Sequence, residues 1–361
     1  MADARAERIE SLLPSLAVDP TVYLHSLDLA RDRGLVLEVD RCFYRDATFL
    51  DERVLDPQRV GAWVPLARIW PLVETAPLAR LPCNFIFHLG HAGSTLLSRL
   101  LDEVPGVLGL REPLTLRPLA LAANRLTLDP DAAQAAACAR ALPNLHALLA
   151  RRFAPLRVRR NGDGDRAVVV KTTSICSAIA PRLLAQHADD RAVVMTVGLR
   201  AYLANTLDKP ISDDLIGFAS HRGAGLRARV AGFGLELAGQ PPARLAALSW
   251  LAEVVALAPL HAERRALFVD FDALLATREK ALAQVLDHLG LPVEAAAAMA
   301  SSPAFGVYSK QTDHAFGPEA RRQVLARSWQ ANRDAILDAE GFVASLAGRH
   351  PELASAMAAY P

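Results

Sequence analysis

The chain of 361 residues is 52% hydrophobic and 22% charged, a composition that suits a packed globular protein and excludes a long disordered or fibrous one. With 40 lysines and arginines against 39 acidic residues, no global field draws it to nucleic acid or to an anionic membrane, so any anion site must be local. The length exceeds the usual single core and predicts one large α/β unit, residues 81–361, preceded by an appended segment, residues 1–80. Cys42, Cys83, Cys138 and Cys176 stand far apart with no CxxC pair, which argues against a zinc ribbon or disulfide framework and reads as four reduced core thiols. The opening MADARAERIESLL has no apolar stretch long enough for a signal peptide or membrane span, and predicts a cytoplasmic protein with neither a membrane nor a nucleic-acid partner. Nothing in the composition reports the oligomeric state.

In chain order, residues 4–17 predict a short amphipathic helix, and residues 23–73 mix helical patches with Pro57, Pro65 and Pro71, so the appendage reads as mainly helical. From Cys83 onward, apolar runs of strand length alternate with helical ones, the pattern of a parallel sheet covered by helices. Candidate strands are 85–89, 107–110, 167–170, 192–197 and 266–271, each rich in Val, Ile, Leu or Phe as strands buried on both faces should be. Residues 132–153 and 242–262 carry long Ala/Leu runs and predict helices. Residues 279–290 predict another, with Leu282, Val285, Leu286 and Leu289 on one face, Thr277 as N-cap, and Gly290 with Pro292 as the stop. Asn161–Asp165 reads as a turn-rich link, Gly217–Gly239 with six glycines as a mobile lid or loop, and the stretch after Pro318 as helical. The expected architecture is a three-layer α/β fold around about five parallel strands.

The segment FIFHLGHAGSTLLSRLLD, residues 85–102, runs from a buried strand through a turn with Gly90 and Gly93 into a helix with Leu96, Leu97, Leu100 and Leu101 facing the sheet. Strand, glycine turn and helix make an anion trap. Glycines let main-chain N–H groups close around phosphate oxygens, the helix N-terminus adds about half a positive charge, and Ser94 and Thr95 supply hydroxyls. A nucleoside-triphosphatase loop requires G-x-x-x-x-G-K-[ST], but His88 stands at its first glycine and Ser94 at its lysine. The missing lysine argues against ATP or GTP hydrolysis, though not against a nucleotide lacking a γ-phosphate.

Gly93-Ser94-Thr95-Leu96-Leu97 resembles the 5′-phosphosulfate loop of bacterial P-loop sulfotransferases, G-[ST]-T-x-L after a small-residue turn. Arg111-Glu112-Pro113, Lys171-Thr172 and the stretch FVDFDALLATREKALAQVLDHLGLP, residues 268–292, follow in the family's order. The resemblance spans about residues 83–318 and leaves the appendage uncovered. It implies transfer of a sulfonate from 3′-phosphoadenosine 5′-phosphosulfate to a hydroxyl or amine of a small-molecule or peptide acceptor, with no metal. The donor would lie on Gly90, His91, Ala92, Gly93, Ser94, Thr95 and Leu96. His91 stands where relatives carry a basic residue near the bridging oxygen. Glu112 matches the glutamate that the protein-tyrosine branch uses as general base, a role that needs a carboxylate or histidine within reach of the acceptor hydroxyl. Lys171, at a strand end where ligands of open sheets gather, would steady the transferring sulfonate. Arg200 resembles the arginine that grips the 3′-phosphate, but the chain continues with Ala201-Tyr202 and Asp208 instead of the family's Asp-Pro and serine, which leaves Asn205 or Thr206 to assist. Tyr308, Ser309 and Lys310 match a loop that covers the donor's phosphates in relatives.

Two alternatives stand beside this reading. Leu267–Asp270 resembles a Walker B strand, whose aspartate would hold Mg²⁺ in a P-loop kinase or NTPase. The departures at His91 and after Arg200 fit a non-catalytic nucleotide-binding protein of the same fold.

Overall fold

The computed structural model describes residues 2–40, 42–56, 58–76, 83–152, 167–209, 213–308 and 311–360. The appendage starts with helix α1 (Ala2–Leu12), which Pro14 converts to a 3₁₀ turn at Leu13–Ser15. Three strands follow, β1 (Val22–Asp28), β2 (Arg33–Glu38) and β3 (Gly61–Pro65), as an antiparallel sheet in the order β1-β2-β3, with α2 (Leu66–Glu74) behind it. This sheet departs from the mainly helical expectation. β1, VYLHSLD, is buried at most of its positions instead of every second one, so it lacks the alternation by which a half-exposed strand is read.

The main sheet has the five expected strands. β4 (Cys83–His88), β5 (Val107–Arg111), β6 (Ala167–Lys171), β7 (Ala192–Thr196) and β8 (Ala266–Asp270) run parallel in the order β5-β6-β4-β7-β8. β4 to β7 are buried at every position, which is why their sequences are unbroken apolar runs. The chain builds outward from β4 first to β5 and β6 on one side and then to β7 and β8 on the other. The C-terminal end of β4 is therefore the switch point where open α/β sheets bind ligands.

Helices cover both faces: α3 (Ser94–Leu101), α4 (Leu116–Leu128), α5 (Ala132–Arg152), α6 (Leu199–Leu207), α7 (Ala219–Arg229), α8 (Pro242–Leu257), α9 (Phe271–Ala276), α10 (Arg278–His288), α11 (Pro318–Ala331) and α12 (Arg333–Arg349). The stretch 242–262 is long and apolar enough to cross a membrane by length and composition, but Ala246–Leu257 is buried without a break, as in the central helix of a core. The Gly217–Gly239 segment is not a loop throughout, because α7 occupies its middle. Gly223 and Gly225 serve close packing there: a Cβ would stand 2.7 Å from the Leu237 side chain and 3.0 Å from that of Asn124 in α4. Thr277 precedes α10 without capping it, since its hydroxyl donates to the Ala273 carbonyl at 2.9 Å. Asn161–Asp165 lies outside the described residues. Of the four thiols, Cys83 and Cys176 are buried, but Cys42 is exposed and Cys138 only half-buried, so two of the four are not core thiols.

Among the side chains that fasten the appendage to the main unit, Arg111 is the buried one at the sheet edge. Arg111, buried at the end of β5, donates from Nε to the Thr48 carbonyl (3.2 Å) and from Nη2 to those of Arg45 (3.2 Å) and Ala47 (3.0 Å), while Nη1 pairs with Asp102. The main chain adds Leu50 N–H to the Arg111 carbonyl at 2.7 Å and Leu114 N–H to the Leu50 carbonyl at 3.3 Å. Arg111→Met removes the guanidinium and leaves Asp102 without its cation; a loss of about 3 kcal/mol is expected in denaturant unfolding, with faster amide exchange in residues 45–53. An unchanged exchange rate in that segment contradicts the fastening role.

Candidate functional site

β4 delivers the chain into a turn built from left-handed residues, with φ of 84° at Gly90, 50° at His91 and 72° at Gly93. Glycine is required at Gly93 twice over, by its φ and because a Cβ would overlap the Phe271 ring at the start of α9. The histidine that replaces the first Walker glycine braces the turn: His88 Nδ1 accepts the Gly90 N–H at 3.0 Å, and its Nε2 lies 3.0 Å from the Thr172 carbonyl, to which it donates in that tautomer. Gly90 therefore shapes the loop, while its own N–H points inward to His88. The first backbone bond of α3 is Leu97 N–H to the Gly93 carbonyl, 3.0 Å, so the amides of Ser94, Thr95 and Leu96 precede the helical ladder, and among the described residues no side chain caps them. The Ser94, Thr95 and Leu96 side chains are buried, as is Ala92, and His91 stands exposed on the crest with its ring 5.6 Å from that of Tyr202. Such a turn offers an oxyanion main-chain donors, two hydroxyls and a helix N-terminus.

Strand register then brings the two other candidates together. Arg111 pairs with Lys171 across β5 and β6, and Ile86 pairs with Lys171 across β4 and β6, so Glu112 leaves its strand beside the lysine, with β6 between it and the loop strand. Glu112 N–H donates to the Lys171 carbonyl at 2.6 Å, and Lys171 Nζ donates to Glu112 Oε1. Neither arginine near Glu112 in sequence is its partner, since Arg111 holds Asp102 and Arg117 holds Glu52. Lys171 is among the largest fully buried side chains of the protein. Glu112 takes φ 55°, one of three non-glycine residues in the left-handed region among the described residues, and His91 is another. Conformations of that kind cost about 1–3 kcal/mol and concentrate at functional sites. The appendage closes this corner: the Phe49 ring lies 5.4 Å from Lys171 Nζ on one side and 3.9 Å from the Arg53 guanidinium on the other. Cys176, close by, is no nucleophile, as burial pushes its thiol up to about 12.

The remaining candidates are divided by the faces of their helices. On α6, Tyr202 packs toward Gly90 and His91, and Asn205 and Thr206, three and four residues on, share its side of the helix. Arg200 projects elsewhere. It is exposed, forms a two-pronged bond to Glu340 of α12 at 2.9 and 2.8 Å, and lies 4.7 Å from the Trp329 ring. Thr206 donates its hydroxyl to the Tyr202 carbonyl at 2.8 Å. Tyr308 ends a two-residue strand, Val307–Tyr308, while Ser309 and Lys310 lie outside the described residues. Asp270, the candidate Walker B aspartate, caps α9 by accepting the Ala273 N–H at 2.9 Å.

Sequence reading missed several residues. His88 was visible only as a departure from a motif, and its bracing role needs the Thr172 carbonyl, far away in sequence. Phe271 and the buried Arg321, which lies 4.8 Å over its ring and pairs with Asp272, carry no local signal at all. Nor does Glu253, in the middle of α8, which faces Arg222 of α7 with Nε to Oε1 at 3.4 Å.

Burial pushes the Glu253 carboxyl up to about 7, against the pull of Arg222 and Arg229. With its folded value above the ordinary 4.5, this group contributes stability that is fully present below about pH 4.5 and lost as pH rises through about 7. Glu253→Gln cannot ionise. Denaturant midpoints of the wild type are expected to fall relative to this variant between pH 4.5 and 7 and to run parallel below that window; parallel curves throughout contradict the assignment.

No family model matches the chain, and no curated protein matches it. Among solved structures, it is similar to a sulfotransferase domain from the curacin biosynthetic pathway, at 16% identity and a TM-score of 0.38, over 67% of this chain and 83% of that one. It is also similar to a sulfotransferase domain from the Synechococcus PCC 7002 olefin synthase (18% identity, TM-score 0.35, 74% of this chain and 96% of that one). The sulfotransferase STF1 of Mycobacterium tuberculosis H37Rv follows at 15% identity and a TM-score of 0.38, with 72% and 82% covered.

Proposed function

We propose that the chain transfers a sulfonate from 3′-phosphoadenosine 5′-phosphosulfate to a hydroxyl or amine acceptor, with Glu112 as general base. The observation that carries this reading is the pairing of a lysine-free phosphate loop with a buried Lys171–Glu112 ion pair at the end of the neighbouring strand. A loop without its own lysine binds phosphate through main-chain amides, and the cation that the chemistry needs comes from Lys171. Glu112 accepts the acceptor's proton as its oxygen or nitrogen attacks sulfur. The bond from sulfur to the bridging oxygen breaks, and the electron pair leaves on the 5′-phosphate of 3′,5′-ADP. The amides of residues 93–96, the Ser94 and Thr95 hydroxyls and His91 meet that growing charge, and Lys171 both orients Glu112 and faces the sulfonate oxygens. Arg200 is held by Glu340, so the 3′-phosphate falls to the side of α6 that carries Tyr202, Asn205 and Thr206, unless the donor displaces that carboxylate. Tyr308, at the end of the Val307–Tyr308 strand, would cover the phosphates together with Ser309 and Lys310. The kinase reading asks for a lysine that the loop lacks and for an aspartate that caps a helix.

Titration with 3′,5′-ADP, compared with ATP plus Mg²⁺, tests the donor assignment in thermal unfolding. Saturation at about 100 times the dissociation constant adds about 2.7 kcal/mol. Glu112→Gln is expected to keep that shift while release of sulfate from the donor to water, which needs no known acceptor, falls about 10²- to 10⁴-fold. Stabilisation by Mg²⁺-ATP alone, or undiminished release in the variant, contradicts the reading.

A further inference from the structure

Beyond the ion pair, the corner where α4 meets α7 and the turn after β6 holds two arginines that the transfer chemistry does not use. Arg117, in the first turn of α4, and Arg222, on α7, both lie over the ring of Phe218, at 6.0 and 5.8 Å from its centroid. Each has a buried guanidinium N–H with no partner among the described residues: Nε of Arg117 and Nη1 of Arg222. Unsatisfied buried donors are costly, so a pair of them calls for a ligand or a solvent role. The bonds that Arg222 does make are long, 3.3 Å from Nη2 to Ser174 Oγ and 3.4 Å from Nε to Glu253. Ser174 lies three residues beyond Lys171, and the Cys176 thiol, two further on, feels the charges of Arg117, Glu112 and Glu253 together. Arg222 thus bonds to the turn that follows Lys171, and Arg117 stands within electrostatic reach of the same turn.

We infer that the acceptor is an anion, a hydroxylated carboxylic acid whose carboxylate is read by Arg117 and Arg222 across the Phe218 ring while its hydroxyl meets Glu112. This inference rests on the sulfonate-transfer reading. The corner holds acids as well as arginines, Glu52 paired with Arg117 and Glu253 facing Arg222, so its positive surplus is small and suits a monoanion better than a dianion. Planar guanidinium groups suit a carboxylate, and the Phe218 ring between them suits an apolar linker between carboxylate and hydroxyl.

Calorimetric binding of two acid–amide pairs, 4-hydroxyphenylacetate and 3-hydroxyoctanoate each against its primary amide, tests the inference on the full chain. 4-Hydroxybenzylphosphonate serves as the dianion, and every ligand is measured with and without saturating 3′,5′-ADP. At least one acid is expected to bind about tenfold or more tightly than its amide and than the phosphonate. Arg117→Gln and Arg222→Lys should each erase that preference and leave the affinity for 3′,5′-ADP unchanged. Arg117→Gln touches a partly exposed side chain, so the test survives if the Arg222 variant fails to fold. Equal binding of acid and amide in both pairs, tighter binding of the phosphonate, or a preference that survives in Arg117→Gln overturns the inference. Failure of 3′,5′-ADP to bind is a separate result, which sinks the donor assignment while the acid preference is still read without nucleotide.

Discussion

The register of three parallel strands decides where every charged group of the site stands. Because Lys171 lies opposite Arg111 on one side and Ile86 on the other, the chain that leaves β5 and the chain that leaves β4 emerge next to the same buried ammonium group. Glu112 is then within reach of Lys171 without any long side chain being stretched, and the phosphate loop is one strand away. A buried lysine without a counter-charge would cost several kcal/mol, so the carboxylate proposed as general base also makes the strand end tolerable. In that proposal stability and function share one ion pair.

The rest of the structure supports that corner from outside. Arg111 ties the appendage to the sheet edge, and the segment so held places Phe49 against Lys171 and Arg53 within electrostatic reach of Glu112. The appendage is therefore a wall of the site. On the other flank, His88 and Phe271 hold the loop: one engages the Gly90 amide, the other fills the space that only a glycine at 93 leaves open. The left-handed conformations of His91 and Glu112 fit a site whose geometry is imposed by its surroundings.

Much of this was legible in the chain. The five main strands stand within two residues of their expected bounds because strands buried on both faces are written as short unbroken apolar runs, and β4 with Gly93 and Ser94 announces the loop by composition alone. Glu112 and Lys171 could be nominated one by one, but their contact depends on register, which no local pattern states. β1 was illegible because His25, Ser26 and Asp28 interrupt its run while most of its positions are buried, so it shows neither an unbroken apolar run nor alternation, and its Pro-punctuated surroundings resemble helix breaks. Gly223 and Gly225 mislead too, because a glycine that makes room for the Leu237 side chain or for the neighbouring helix α4 looks like one that breaks a loop. Arg200 matched a motif position, yet the face it occupies on α6 was set by Glu340 and Trp329, which lie about 130 to 140 residues further along.

The central claim is that the amides following β4 close on a phosphate. Amide hydrogen exchange with and without 3′,5′-ADP reads it directly: the account predicts slowed exchange at residues 91–96, with the amides of Ser94, Thr95 and Leu96 most affected. Unchanged exchange across this stretch in a protein saturated with the nucleotide, or protection found only elsewhere, would contradict it.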